Sequence, residues 1–118
     1  MADIWSPEGH YRKEILSKPE ETLKIMLFGM GSLALGELAG ERMKVALEVN
    51  STEDEHDCFS DNTHNSHYYN AKGIANVYDG RYTRQDGKVV KGAALADLVK
   101  AKNPALHQRM VTALANTE

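Results

Sequence analysis

Apolar residues recur at steps of three and four through the first half of the chain, from Leu23 to Leu47. This spacing places them along one face of a helix. No strong stop signal interrupts the pattern, so we predict one long helix from about Pro19 to Val49. Its most apolar stretch, residues 25–35, is shorter than the roughly 20 residues that cross a membrane. We therefore expect a core helix and no transmembrane span.

Helix-start and helix-stop residues divide the rest of the chain. Ser6, followed by Pro7 and Glu8, predicts a short helix to about Leu16, and Ser17 with Glu20 resembles a capping box before the long helix. Ser60 or Asp61 is expected to cap a further helix. The later boundaries follow from the same signals: a stop at Asp79-Gly80, a hairpin or ordered loop around Asp86-Gly87, and helices Ala93–Lys102 and Ala105–Ala115 separated by Asn103-Pro104.

These elements predict an all-α protein, a helical bundle with one long central helix and a small hairpin or ordered loop near residues 81–92. Its 118 residues fit a single domain, residues 1–118. The net charge of −3 and the absence of a basic stripe argue against a nucleic-acid partner. A single cysteine excludes an intramolecular disulfide. The N-terminus lacks the architecture of a signal peptide, so we expect either a cytosolic protein or part of a longer chain.

Four glycines lie within the predicted long helix: Gly29, Gly31, Gly36 and Gly40. Each costs up to about 1 kcal/mol relative to alanine in a helix interior. Gly36 and Gly40 are four residues apart and share a helix face. We predict that this face packs closely against another helix, with a kink near Gly29–Gly31 as the alternative.

The segment Glu53–His67 is the richest in chemical groups, with five carboxylates, three histidines and Cys58. His64 and His67 would share one face of a helix. Two such imidazoles can bind one metal ion together with nearby carboxylates or a thiolate. No HExxH, CxxC or EF-hand spacing is present. The pattern therefore permits a metal site without specifying it.

Two other interpretations of this segment stay open. The first is structural: Ser60, Asp61, Asn62 and Thr63 are good capping and turn residues. In that case the loop would be held by a network that includes Glu37, Glu41 and Arg42 of the long helix, with Arg42 pairing with loop carboxylates such as Asp61 and with His56 and His64 buried nearby. The second is nucleophilic catalysis by Cys58 or Ser60 beside His64, but no nucleophile-elbow pattern surrounds them.

Four strings of residues resemble the C-terminal half of imelysin-like proteins, the family that includes imelysin peptidases and the iron-regulated protein A group. They are ELAGERM (37–43), EDEHDCFSDNTH (53–64), GIANVYDGRY (73–82) and DGKVVKGAALADLV (86–99). The resemblance runs from about Trp5 to the chain end. It implies an all-helical bacterial protein of the periplasm or outer membrane, built from two halves with a site in the cleft between them, and linked to iron uptake or metallopeptidase activity.

The resemblance also implies site residues and partners. A divalent metal, iron or zinc, would be bound by Glu53, His56, Asp61 and His64, with Arg42 beside them. The family's GxHxxE motif is absent from this chain, because His10 directly follows Gly9 and neither His56 nor His64 has a glutamate three residues later. We therefore expect one wall of a cleft, completed by self-association or by an N-terminal imelysin-like half. The alternatives are a metallopeptidase component that needs a second half and a purely structural or interaction module.

Overall fold

The computed structural model describes residues 2–117, which form helices and one small hairpin joined by loops. The all-α prediction is confirmed. The elements in chain order are α1 (Ala2–Trp5), α2 (His10–Ser17), α3 (Pro19–Val49), α4 (Thr63–Asp79), β1 (Arg81–Thr83), β2 (Val89–Lys91), α5 (Leu95–Lys102) and α6 (Pro104–Ala115).

The long helix α3 runs from Pro19 to Val49 as predicted, but its winding changes along its length. Pro19–Gly31 is α-helical, Ser32–Val45 is a π-helix, and Ala46–Val49 is again α-helical. The wider turn of a π-helix brings residues five apart onto one face. A Cβ placed on Gly40 would accordingly lie 3.0 Å from the carbonyl oxygen of Leu35, five residues earlier.

Both predicted serine caps in the N-terminal region are wrong. The Ser6 hydroxyl donates to the carbonyl oxygen of Asp3 at 2.8 Å, and α2 begins only at His10. The Ser17 hydroxyl donates to the carbonyl oxygen of Glu14 at 2.6 Å, and α3 begins after Lys18 without a side-chain cap. Each hydroxyl bonds back to a carbonyl three residues earlier, and this local bond competes with capping the helix ahead.

The hairpin and the helix ends after it follow the turn signals of the sequence. Gly80 ends α4 in the left-handed conformation, with φ of 58°. The strands β1 and β2 are antiparallel, with Tyr82 opposite Val90, and Gly87 adopts φ of 78° in the turn between them. The side chain of Asn103 caps α6 by accepting a hydrogen bond from the Leu106 amide at 3.0 Å.

The core lies where α4 meets the π-helical part of α3 on one side and α5 on the other. Tyr78 is 1% exposed, and its hydroxyl lies 3.0 Å from Nδ1 of His107 on α6. This contact joins the middle of the chain to its last helix. Within residues 2–117 the buried hydrophobic side chains are Leu38, Ile74, Ala75, Tyr78 and Leu95.

The expectation that α3 is a buried core helix is wrong for most of its length. Leu38 is the one buried residue on α3 among those the structure describes, and Phe28 and Leu35 are 80% and 78% exposed. The radius of gyration is 16.7 Å, against about 13–14 Å for a compact domain of this length. The chain has too few other helices around α3 to cover it.

By length and composition alone, α3 could cross a membrane, with a mean hydropathy of 1.3 in its most apolar stretch. Core helices of soluble proteins and signal sequences pass the same test. The property therefore does not by itself indicate a span, and the absence of one stays a prediction.

Candidate functional site

The loop between α3 and α4 begins and ends in the left-handed conformation, at Asn50 with φ of 51° and Asp61 with φ of 52°. Between these points it is pinned to α4 through Asp57. The backbone N–H of Asp57 donates to Oγ1 of Thr63 at 3.0 Å, and the Ser66 hydroxyl donates to the Asp57 carboxylate. The first turn of α4 thus holds the loop by both a backbone and a side-chain bond.

The predicted capping by Ser60 or Asp61 is wrong. Asn62 occupies the cap position of α4 without a side-chain cap bond, and its Oδ1 accepts from the side-chain amide of Asn65 at 2.7 Å. The Ser60 hydroxyl donates to the Asp57 carbonyl oxygen at 3.4 Å. The polar run therefore stabilises the loop itself more than the helix that follows.

Two histidine side chains, one from this loop and one from α4, lie next to each other. The rings of His56 and His67 are stacked, with centroids 6.1 Å apart and an interplanar angle of 21°. His56 is exposed and His67 is half-buried. Nε2 of His67 is buried and has no hydrogen-bond partner among residues 2–117. We call these two residues, with Arg42, Glu55 and Asp57 around them, the histidine cluster.

Burial, followed by the charges of His56 and Arg42, lowers the pKa of His67, while Asp57 and Glu55 act in the opposite direction. The net effect favours the neutral imidazole. A neutral imidazole with an unpaired ring nitrogen can bind a metal ion or form a hydrogen bond with a ligand. The lowered pKa therefore favours the form of His67 that can bind a metal ion or a ligand.

The lowered pKa predicts how stability depends on pH. The unfolded chain takes up a proton at His67 near its ordinary pKa of about 6.5, and the folded chain takes it up only at a lower pH. The contribution of His67 is therefore fully present above about pH 6.5 and is lost as the pH falls through the folded pKa. Urea unfolding between neutral and mildly acidic pH should show this loss, and His67→Gln should reduce it.

His10 provides the control for this measurement, because it is exposed and lies on α2, outside the cluster. His10→Gln should leave the pH dependence unchanged. An equal slope for the wild type and His67→Gln would contradict the assignment to His67.

The structure separates the residues that the sequence grouped into one site. Arg42 and His56 belong to the histidine cluster, and Thr63 supports it. His64 is exposed on α4. Glu53 and Asp61 instead line an open depression of about 660 Å³. The depression is also lined by Thr52, Cys58, Phe59 and Glu55, and Glu55 belongs to the histidine cluster as well.

The predicted pairing of Arg42 with loop carboxylates is replaced by a pair within α3. A guanidinium nitrogen of Arg42 lies 3.6 Å from a carboxylate oxygen of Glu37. These residues are five apart, a spacing that the π-helical turn brings together. Glu41 is exposed and forms no ion pair within residues 2–117. Arg42 still acts on the site, because its charge lowers the pKa of His67.

In the part of the chain that the structure describes, no three histidine, cysteine, aspartate or glutamate side chains are grouped closely enough to hold a metal ion. Metal binding by Glu53, His56, Asp61 and His64 stays a prediction. The sequence-based site set omitted His67. Its spacing from Thr63 and His64, four and three residues earlier, carried a signal, because residues three and four apart share a helix face.

The comparisons with known proteins agree with the resemblance seen in the sequence. The family model for imelysin, peptidase family M75, matches residues 1–118. None of the curated proteins matches the chain.

Proposed function

The chain belongs to the imelysin family, and we propose that it is a metal-linked binding domain of the bacterial envelope. The histidine cluster would form one wall of a ligand cleft and contribute imidazole ligands to a divalent ion such as iron or zinc. One observation carries this proposal: Nε2 of the half-buried His67 is unpaired next to the ring of His56. A buried polar atom without a partner needs an explanation, and a bound ion or ligand provides one.

The donor types suit such an ion only in part. Iron and zinc accept imidazole nitrogen and carboxylate oxygen, and Glu55 and Asp57 lie close enough to His67 to affect its pKa. Within residues 2–117, no three potential ligands lie close enough together to hold a metal ion by themselves. We infer that this chain supplies part of the coordination sphere and that water, a ligand or another polypeptide supplies the remainder.

Titration of metal-free protein with ferrous iron, zinc and copper by calorimetry tests the proposal. We expect heat of binding and a rise in melting temperature for at least iron or zinc, because an ion that binds only the folded state stabilises it. No heat above buffer, together with an unchanged melting temperature, would contradict a metal site.

Three histidine variants locate the site. His67→Ala and His56→Ala should each weaken binding by about 10-fold or more, because each removes a ligand, whereas His10→Ala serves as the unaffected control. His64→Ala distinguishes the two arrangements of ligands. Loss of binding in His64→Ala with retention in His67→Ala would favour Glu53, His56, Asp61 and His64 over the histidine cluster.

A structural role is the second candidate, supported by the bonds from Asp57 to Thr63 and Ser66. In that case His67→Ala would change the free energy of unfolding equally with and without metal. Peptidase activity is not part of the proposal, because the GxHxxE motif is absent from this chain.

A further inference from the structure

The first half of α3 presents an uncovered apolar face. Ile25, Phe28 and Leu35 are exposed on this side of the helix. Between the larger side chains lies a shallow groove of about 490 Å³ that is almost entirely apolar. It is lined by Leu27, Phe28, Gly31, Ser32, Leu35 and Gly36. A contiguous exposed apolar patch of this kind marks an interaction surface, whereas single exposed apolar residues are normal and need no explanation.

Close packing within the described residues 2–117 does not require glycine at either position in the groove. A Cβ built on Gly31 or on Gly36 meets no atom within 4 Å. Gly31 has ordinary α-helical backbone angles, so alanine at this position would favour the helix. The small size of the two glycines instead lets a second backbone approach closely from outside.

Exposed charged residues near the two ends of α3 indicate the orientation of that second helix. Glu21 and Lys24 lie near the start of α3, and Glu41 and Lys44 lie near its end. A parallel copy would place like charges side by side. An antiparallel copy centred near Ser32 places Glu21 opposite Lys44 and Lys24 opposite Glu41, which is favourable.

We propose that a second copy of this chain covers the apolar face, with its α3 antiparallel to the first and crossing it near Gly31 and Ser32. The same register places Phe28 of each copy within one residue of Gly36 of the other. A large side chain then fills the space that the glycine leaves. The contact is isologous, so every interaction occurs twice and the assembly closes as a dimer. This inference does not depend on metal binding at the histidine cluster.

Charge reversal tests both the dimer and its orientation. Within residues 2–117 neither Lys24 nor Glu41 forms an ion pair, and they lie at opposite ends of α3, too far apart to interact within one chain. Lys24→Glu and Glu41→Lys should each weaken dimerisation roughly three- to tenfold at low salt. The double variant should restore it to within about twofold of the wild type. Sedimentation equilibrium up to high micromolar protein measures each constant.

Glycine variants provide the second readout. Gly31→Ala should raise the melting temperature of the monomer, because Gly31 has α-helical backbone angles, and should weaken dimerisation. Gly73→Ala is the matched control, since Gly73 lies inside α4 and its added Cβ also meets no atom within 4 Å. Gly73→Ala should raise the melting temperature and leave dimerisation unchanged.

Four outcomes would overturn the proposal. The first is a wild type that stays monomeric at all concentrations, and the second is a dimer in which the Lys24 and Glu41 double variant shows no restoration. The third is a monomer that co-floats with phosphatidylcholine vesicles, which would assign the apolar face to lipid. Binding of a separately expressed N-terminal imelysin half by a monomeric wild type would likewise assign this face to another occupant.

Discussion

Replacing Tyr78 with alanine should lower the free energy of unfolding by about 3–5 kcal/mol, the range for losing a large aromatic side chain from a core. Tyr78 is 1% exposed, which makes it the most buried large side chain among the described residues. Its ring stacks on His107 with centroids 6.1 Å apart, and its hydroxyl lies 3.0 Å from Nδ1 of that residue. Because few other side chains of residues 2–117 are buried, the remaining core is too small to rearrange and fill the cavity. Urea unfolding followed by far-ultraviolet circular dichroism measures the change.

Tyr78→Phe separates packing from hydrogen bonding. This variant keeps the ring and removes only the bond to His107, so it should cost about 0.5–1.5 kcal/mol. His107 is half-buried, and water can replace part of what its ring nitrogen loses. Equal losses of unfolding free energy in Tyr78→Phe and Tyr78→Ala would show that packing of the ring does not stabilise the core.

Replacing Gly80 with alanine should cost about 2–4 kcal/mol, although it adds only a methyl group. Gly80 ends α4 at φ of 58°, where an L-residue pays about 1–2 kcal/mol. A Cβ at this position would also lie 2.6 Å from the carbonyl oxygen of Ala93. That oxygen belongs to the backbone leading into α5, so relieving the overlap requires α4 and α5 to move apart.

Gly87→Ala is the matched control for this effect. Gly87 also has a positive φ, at 78°, but its added Cβ meets no atom within 4 Å. It should therefore lose only about 1–2 kcal/mol, the conformational cost alone. The difference between the two variants in chemical unfolding isolates the contact with Ala93. Equal losses would mean that the backbone near Ala93 shifts freely.

Most helix ends in this protein could be predicted from the sequence because their causes are local. The periodic apolar residues of α3, the Asp79-Gly80 stop and the Asp86-Gly87 turn each depend on residues within a few positions. The wrong cap predictions concern serine hydroxyls, which can bond either to the preceding turn or to the helix that follows. Ser6 and Ser17 bond back to carbonyls of the preceding turn, and sequence spacing does not distinguish this bond from a cap on the next helix.

The candidate site shows the same division. The sequence identified the segment that carries it and included Arg42 and His56. It did not identify His67 as the partner of His56, because that pairing depends on how the loop folds back onto α4 through Asp57. Glu53 and Asp61 were near His56 in sequence but line a depression that meets the histidine cluster only at Glu55. Adjacent loop residues point in directions that only the backbone path defines.

The sequence by itself therefore determined the helices from α2 onward, the hairpin and the polar segment between α3 and α4, since each follows from propensity and periodicity over a few neighbouring residues. The tertiary structure alone decided which histidines meet and which side of α3 remains uncovered. Those features arise from contacts between distant segments, above all α4 against the π-helical part of α3. Burial of Leu38 there uses one side of the helix and leaves Phe28 and Leu35 exposed.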